Sequence, residues 1–226
     1  APDGAIKATA STDNHAAGAN AAEHLFPLLE KKLGDKPVRI GVVSQEANSL
    51  SITQRTSGFI DKMVELLEKK GIKTAVIGHD KFKNKVSESD AKAIIEVRVP
   101  AQVDDAAGKT EASTVLEKAD TIAIYGSNEF AAKAIINANG SFKESKLGAD
   151  KILAVGFDSG ALQQDAIRNG IFVGSVTQDP IQIGYQAVKL AIEAAQGKEV
   201  KDVDTGSKWY DAKNIDSDEI KPLLYK

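Results

Sequence analysis

Five places in this 226-residue sequence set hydrogen-bonding side chains where they could meet a small polar ligand. Four are short polar pairs, each directly following an apolar run: Ser44-Gln45, Ser127-Asn128, Asp158-Ser159 and Gln178-Asp179. Between them, hydroxyl, amide and carboxylate groups supply both donors and acceptors, which is what a hydroxyl-rich molecule asks of a site. Taken alone, each has a plainer role. Asn128 and Asp158 stand just before helical patterns, where Asn, Asp and Ser commonly serve as N-caps. The fifth place is Arg55. Ser51-Ile52-Thr53-Gln54 has the form of a capping box, with Ser51 as N-cap and Gln54 reaching back. Arg55 then falls in or just after the first helical turn, where the helix dipole disfavours a cation by about 0.3–1 kcal/mol. A local rule broken without evident compensation marks a functional position. A guanidinium fork beside Asp158 and Asn128 would suit sugar hydroxyls or a carboxylate.

Other chemistries find little support. There is no G-x-S-x-G, G-x-x-x-x-G-K-[ST], H-E-x-x-H or post-strand G-x-G-x-x-G pattern. The sequence has no cysteine, which excludes thiol nucleophiles, disulfides and Cys-ligated metal. His15, His24 and His79 lack metal-ligand spacing, and no acidic cluster accompanies Asp80 or Asp158 to hold magnesium. No catalytic residue, metal or cofactor is expected. Lys plus Arg number 29 against 32 acids, a net charge of -3, so the basic face that nucleic acid requires is not indicated. Trp209 and Tyr210 read as a packing anchor for the C-terminal tail rather than a stacking platform.

The elements that must hold these residues alternate between strand and helix. The strand candidates are Val38–Val43, Thr74–Ile77, Thr121–Tyr125, Ile152–Phe157 and Ile171–Thr177. Their nearly continuous apolar character predicts burial on both faces. Ile94–Val99 alternates and reads as a strand with one wet face, and Lys81–Asp90 as an exposed loop or hairpin tip. Helices are expected over Ser51–Gly71, Ala161–Asn169 and Pro180–Gln196, closed by Gly71, Gly170 and Gly197. The last carries Ile181, Tyr185, Val188 and Ile192 on one stripe and Gly184, Ala187, Ala191 and Ala194 on another. Such alternation predicts an α/β fold, a doubly wound parallel sheet with ligands beyond the carboxyl ends of its strands.

Several segments then carry a family likeness. They are STDNHAAGANAAEHL at Ser11–Leu25, VVSQ followed by ITQRTSGF to Phe59, and YGSNEFAAKAI at Tyr125–Ile135. The most specific are ILAVGFDSG at Ile152–Gly160 and NGIFVGSVTQDPIQIGYQAV at Asn169–Val188. The chain resembles the periplasmic sugar-binding proteins of ABC importers, of the ribose- and galactose-binding type I kind, whose fold is shared with the cores of LacI-type repressors. That resemblance implies two α/β lobes joined by three crossing strands, with ligand clamped between. It puts ligand contacts on Arg55, Asn128, Asp158 and Gln178. Phe157 matches the aromatic before the site aspartate, and Val103 stands where the family usually has an aromatic. The stretch around Lys81–Ala93 looks like an insertion.

The same resemblance implies crossovers near Ser11–Asp13, Gln178–Asp179 and Gly206–Trp209. Residues 1–12 would then be a remnant of the first lobe and 13–178 the second lobe. Residues 179–206 would be a helix and strand of the first lobe, and 207–226 a tail returning to the second. The start at Ala1-Pro2-Asp3, without methionine or signal peptide, reads as an N-terminal truncation leaving one nearly complete lobe. The implied function is a solute-binding component that closes on a monosaccharide or small polyol and delivers it to an ABC permease. It would work outside the cytoplasm, periplasmic or lipoprotein-anchored, without nucleic acid, and this chain alone would bind sugar weakly or not at all. The surface left by the missing lobe would pack on its own lobe or drive self-association. The alternatives are the ligand-sensing core of a LacI-type repressor or of a membrane receptor kinase and, more remotely, a flavodoxin-like or hydrolase-type enzyme.

Overall fold

The apolar runs become strands and the 3.6-periodic stretches become helices in a computed structural model that describes residues 4–225. In chain order these are β1 (Ala10–Ser11), α1 (Asn14–Leu29), β2 (Val38–Val43), α2 (Leu50–Lys69) and β3 (Thr74–Ile77). There follow β4 (Ala93–Arg98), α3 (Asp105–Leu116), β5 (Thr121–Gly126), α4 (Glu129–Asn139) and β6 (Leu153–Phe157). The chain ends with α5 (Ala161–Arg168), β7 (Gly174–Gln178), α6 (Pro180–Ala195), β8 (Val203–Asp204) and β9 (Ser207–Tyr210). The Ala1-Pro2-Asp3 start lies outside the described residues.

A seven-stranded sheet runs β3-β4-β2-β5-β6-β7-β9, parallel except for the antiparallel edge strand β9. Val38, Ile40 and Val42 of β2 point into one apolar layer with α1 and α2, through Leu25, Phe59 and Met63. The opposite layer packs α3, α4 and α5 through Val115, Ile135 and Ile167. The sheet is therefore doubly wound, and each buried aliphatic side chain contributes about 1.5–3 kcal/mol by leaving water. β1 and β8 form a separate two-stranded parallel sheet beside α6. The chain passes between the small and large sheets at 12–13, 179 and 205–206. There Thr12 Oγ1 donates to Gly206 O at 3.2 Å, and the Asp13 amide donates to Asp204 Oδ1 at 2.9 Å.

Two glycines set the packing of α1 on α2. A Cβ at Gly18 would lie 2.2 Å from the carbonyl oxygen of Arg55, and one at Gly58 would lie 2.0 Å from that of His15. Backbone therefore meets backbone, and the start of α1 is drawn against Arg55.

Three expectations change. The capping box does not form: the N-cap of α2 is Ser49, two residues before Ser51, and Ser49 Oγ meets Ser51 Oγ at 3.2 Å. The strand expected from Ile171 begins at Gly174, because the Ile171 and Phe172 amides close the end of α5 on Ala166 O. β4 has no wet face. Glu96, only 3% exposed, accepts from Arg39 Nη1 at 2.6 Å and Lys118 Nζ at 2.6 Å, so charge pairing rather than solvent satisfies it. The Lys81–Asp90 stretch is exposed loop as expected, tied down where Asn84 donates to Thr74 O and accepts from the Val76 amide, covering edge strand β3.

Candidate functional site

β2 leads to strands on one side of it and β5 to strands on the other, so the sheet's switch point lies between β2 and β5. Beyond the carboxyl ends of these strands is the crevice where open α/β sheets hold ligands. The polar pairs expected at strand ends all lie on this edge, but they do different work. Ser44 Oγ accepts from Thr56 Oγ1 at 3.0 Å, Ser159 Oγ donates to Leu223 O at 3.3 Å, and Asp179 caps α6. Asn128 caps α4, its Oδ1 accepting from the Ala131 amide at 3.0 Å, while its Nδ2 donates to Gln45 Oε1 at 2.7 Å.

Asp158 is different. It is not the α5 cap, a place taken by Gly160. Its φ of 73° makes it the one non-glycine residue in the left-handed region among the described residues. Such a conformation costs on the order of 1 kcal/mol and persists where surroundings over-determine it. Asp158 is 9% exposed, and its carboxylate gathers three elements. Oδ1 accepts from Gln178 Nε2 at 2.9 Å, and Oδ2 from the Glu129 amide at 3.1 Å and Arg55 Nη1 at 3.3 Å.

Arg55, 7% exposed, is the sixth residue of α2 and so lies beyond the first turn, where the dipole penalty expected from the sequence no longer applies; its charge is met by Asp158. Its Nε donates to Asn14 Oδ1 at 2.8 Å, and its guanidinium carbon lies 4.0 Å from the centre of the Phe157 ring. Phe157 is fully buried and backs the cation with its π face. The 3.3 and 3.5 Å contacts of Nη1 with the carboxylate are longer than the about 2.7–2.9 Å of a tight charge-assisted bond. Nearby, the Tyr125 hydroxyl and Ser127 Oγ are buried without partners. Burial raises the Tyr125 hydroxyl far above the tyrosine range, so it stays protonated.

The structure thus brings Arg55, Asp158 and Gln178 into direct contact, with Asn128 adjacent through Glu129 and Phe157 beneath. Val103 is not joined to them: it sits 56% exposed in the β4–α3 connection. Sequence reading missed Asn14 as a partner of Arg55; its signal was the close approach of α1 and α2 at Gly18 and Gly58. Among the described residues no three His, Cys, Asp or Glu side chains assemble into a metal-holding group. A surface concavity of about 800 Å³ lies at the opposite end of the strands, lined by Lys32, Lys118, Thr121 and Ile152.

A family model described as periplasmic binding protein domain matches residues 1–199. Among solved structures, one described as "ABC transporter, LacI family transcriptional regulator" from Brachyspira murdochii is 36% identical with a TM-score of 0.83, covering 99% of this chain and 68% of that one. An ABC transporter solute binding protein from Agrobacterium vitis with bound D-fucose is 25% identical, TM-score 0.72, covering 97% and 65%. The periplasmic component of an ABC-type sugar transport system from Hahella chejuensis is 26% identical, TM-score 0.67, covering 92% and 65%. The chain thus spans about two thirds of the length of these structures. No curated protein matches the sequence.

Proposed function

This chain belongs to the periplasmic binding protein domain family, and from that premise we propose that its polar sheet edge is one wall of a cleft for a monosaccharide or similar small polyol. The observation that carries the reading is the Arg55–Asp158 pair, held at a left-handed aspartate with Gln178 and Asn14 as its other partners. A carboxylate accepts from sugar hydroxyls while a guanidinium donates to them, so adjacent hydroxyls of one ring can be bound by both. The long Nη1 contacts leave room for hydroxyls to compete for the same atoms. Asn128 adds an amide from the α4 start, and Phe157 keeps Arg55 in plane.

In this reading residues 13–178 and the tail from 207 form one lobe, and residues up to 12 with 179–206 belong to the other. The segments crossing at 12–13, 179 and 205–206 are the hinge, and closure brings a second wall onto the ligand. The relatives' greater length supports a second wall built from polypeptide beyond the matched part. The protein is a binding component rather than an enzyme, works outside the cytoplasm, and hands its ligand to an ABC permease. D-Fucose in the Agrobacterium vitis relative supports a sugar as the ligand class.

A thermal-shift screen of the full-length gene product against pentoses, hexoses, 6-deoxyhexoses and inositol tests this. A ligand at a hundred times its Kd stabilises the native state by about 2.7 kcal/mol, a shift of several degrees. No shift with any sugar, or a sugar response visible only as a change in affinity for operator DNA, would overturn the transport reading.

A further inference from the structure

The carboxylate of Asp158 is oriented by its side-chain partners, but its backbone is held by a separate set of groups that the ligand-binding reading does not use. The Asp158 carbonyl oxygen accepts from Tyr210 Oη at 2.8 Å, Ser175 Oγ at 2.9 Å and Gln163 Nε2 at 3.3 Å. Its amide donates to Val176 O at 2.7 Å. Tyr210 is fully buried, on the antiparallel edge strand β9, far from Asp158 in the chain. The tail reaches the same turn twice more. Ser159 Oγ donates to Leu223 O at 3.3 Å, and the Ser159 amide donates to Tyr225 Oη at 3.5 Å.

We propose that the C-terminal strap, through the Tyr210 hydroxyl, is a positioning device that holds Asp158 in its left-handed conformation and so aims its carboxylate at Arg55, Gln178 and the Glu129 amide. A non-glycine residue at φ of 73° relaxes toward negative φ unless it is held there. Rotation about that bond moves the carbonyl and the side chain together, so releasing the carbonyl turns the carboxylate away from its partners. Of the three donors to that carbonyl the Tyr210 hydroxyl makes the shortest contact, and its loss leaves only Ser175 Oγ and the longer Gln163 contact to hold the turn. Burial holds the Tyr210 hydroxyl well above the ordinary tyrosine range, so it remains a donor at any physiological pH. The antiparallel pairing of β9 with β7, Ser175 opposite Tyr210, places both hydroxyl donors at one point.

The inference rests on the reading of Asp158 as a ligand contact, yet its test needs no ligand. In amide-resolved NMR of the protein, Tyr210→Phe is expected to speed exchange of the Glu129 amide about fivefold or more, the loss of one net hydrogen bond. The Gln178 side-chain amide signals move toward those of free glutamine. With a sugar found by the screen above, Kd weakens by about the same factor while far-UV circular dichroism stays unchanged. Ser175→Ala, should Tyr210→Phe not fold, is expected to act in the same direction. Changes confined to Ser175, Gln163 and Val176, with Glu129 and Gln178 unmoved, would make Tyr210 a merely structural residue and overturn the proposal. Failure of both variants to fold overturns it too, because the hydroxyls would then be fold determinants. Absence of sugar affinity in the parent would sink the functional reading alone and leave the amide readouts standing.

Discussion

The Arg55–Asp158 pair is a buried ion pair in which each charge depends on the other, and substituting both residues exposes this. Asp158→Gly removes the left-handed penalty of about 1 kcal/mol, but glycine's extra unfolded-state freedom takes back about 0.5–1 kcal/mol. These cancel, and the charge decides. Arg55, with its side chain 8% exposed, is left without a counter-ion. Breaking one side of a buried pair costs about 3–5 kcal/mol. Asn14 Oδ1 and the Phe157 ring stay in place and soften this to about 2–3 kcal/mol. Arg55→Met alone costs less, about 1–2 kcal/mol, because Gln178 and the Glu129 amide still satisfy the carboxylate. The double variant removes both charges together and leaves the Glu129 and Gln178 amides without their acceptor, at about 1 kcal/mol. It should therefore cost about 1 kcal/mol, giving a coupling of about 2–4 kcal/mol. Urea unfolding of the four proteins, with m-values checked for constancy, measures it. In melting temperature the Asp158→Gly loss is about 2–4 °C per kcal/mol for a chain of this size. A single Asp158→Gly as stable as the parent, or a double variant showing the simple sum of the two losses, would refute the reasoning.

Gly58→Ala places a Cβ 2.0 Å from the His15 carbonyl oxygen, so it should cost about 1–3 kcal/mol in urea; parental stability would contradict the α1–α2 contact. Glu96→Gln unbalances Arg39 and Lys118 and should cost about 2–4 kcal/mol. Glu88→Gln, at a half-exposed partner of the same arginine, should change stability by less than about 1 kcal/mol, and equal losses at both sites would refute the distinction. Val188→Glu and Tyr185→Lys on α6 replace side chains 61% and 62% exposed, so urea midpoints should stay within about 0.5 kcal/mol of the parent.

Most of the fold was legible because both faces of the sheet are covered, which writes the central strands as unbroken apolar runs. Val38–Val43 and Thr74–Ile77 match their strands to the residue. The α6 stripes were legible from their helical spacing: Ala187, Ala191 and Ala194 face residues 5–10, while Ile181, Tyr185, Val188 and Ile192 stay exposed and do not pack on their own lobe. β4 was misread because a buried ion cluster and a wet face look alike in sequence; Glu96 needs Arg39 and Lys118 from other elements. Arg55 stood out in the sequence only because the capping-box pattern sets the helix start two residues late, and its partners Asn14 and Asp158 reach it across distant chain. The positive φ of Asp158 left no mark in composition at all.

The central claim is that Arg55, Asn128, Asp158 and Gln178 hold a sugar. Calorimetric titration of the full-length gene product with its best-shifting sugar, beside Asp158→Asn, Gln178→Ala and Arg55→Met, tests it most directly. Each lost charge-assisted bond is worth about 1.5–3 kcal/mol, so Asp158→Asn and Arg55→Met should weaken Kd by about ten- to a hundredfold, with Gln178→Ala at the lower end. Parental affinity in all three variants would contradict the account.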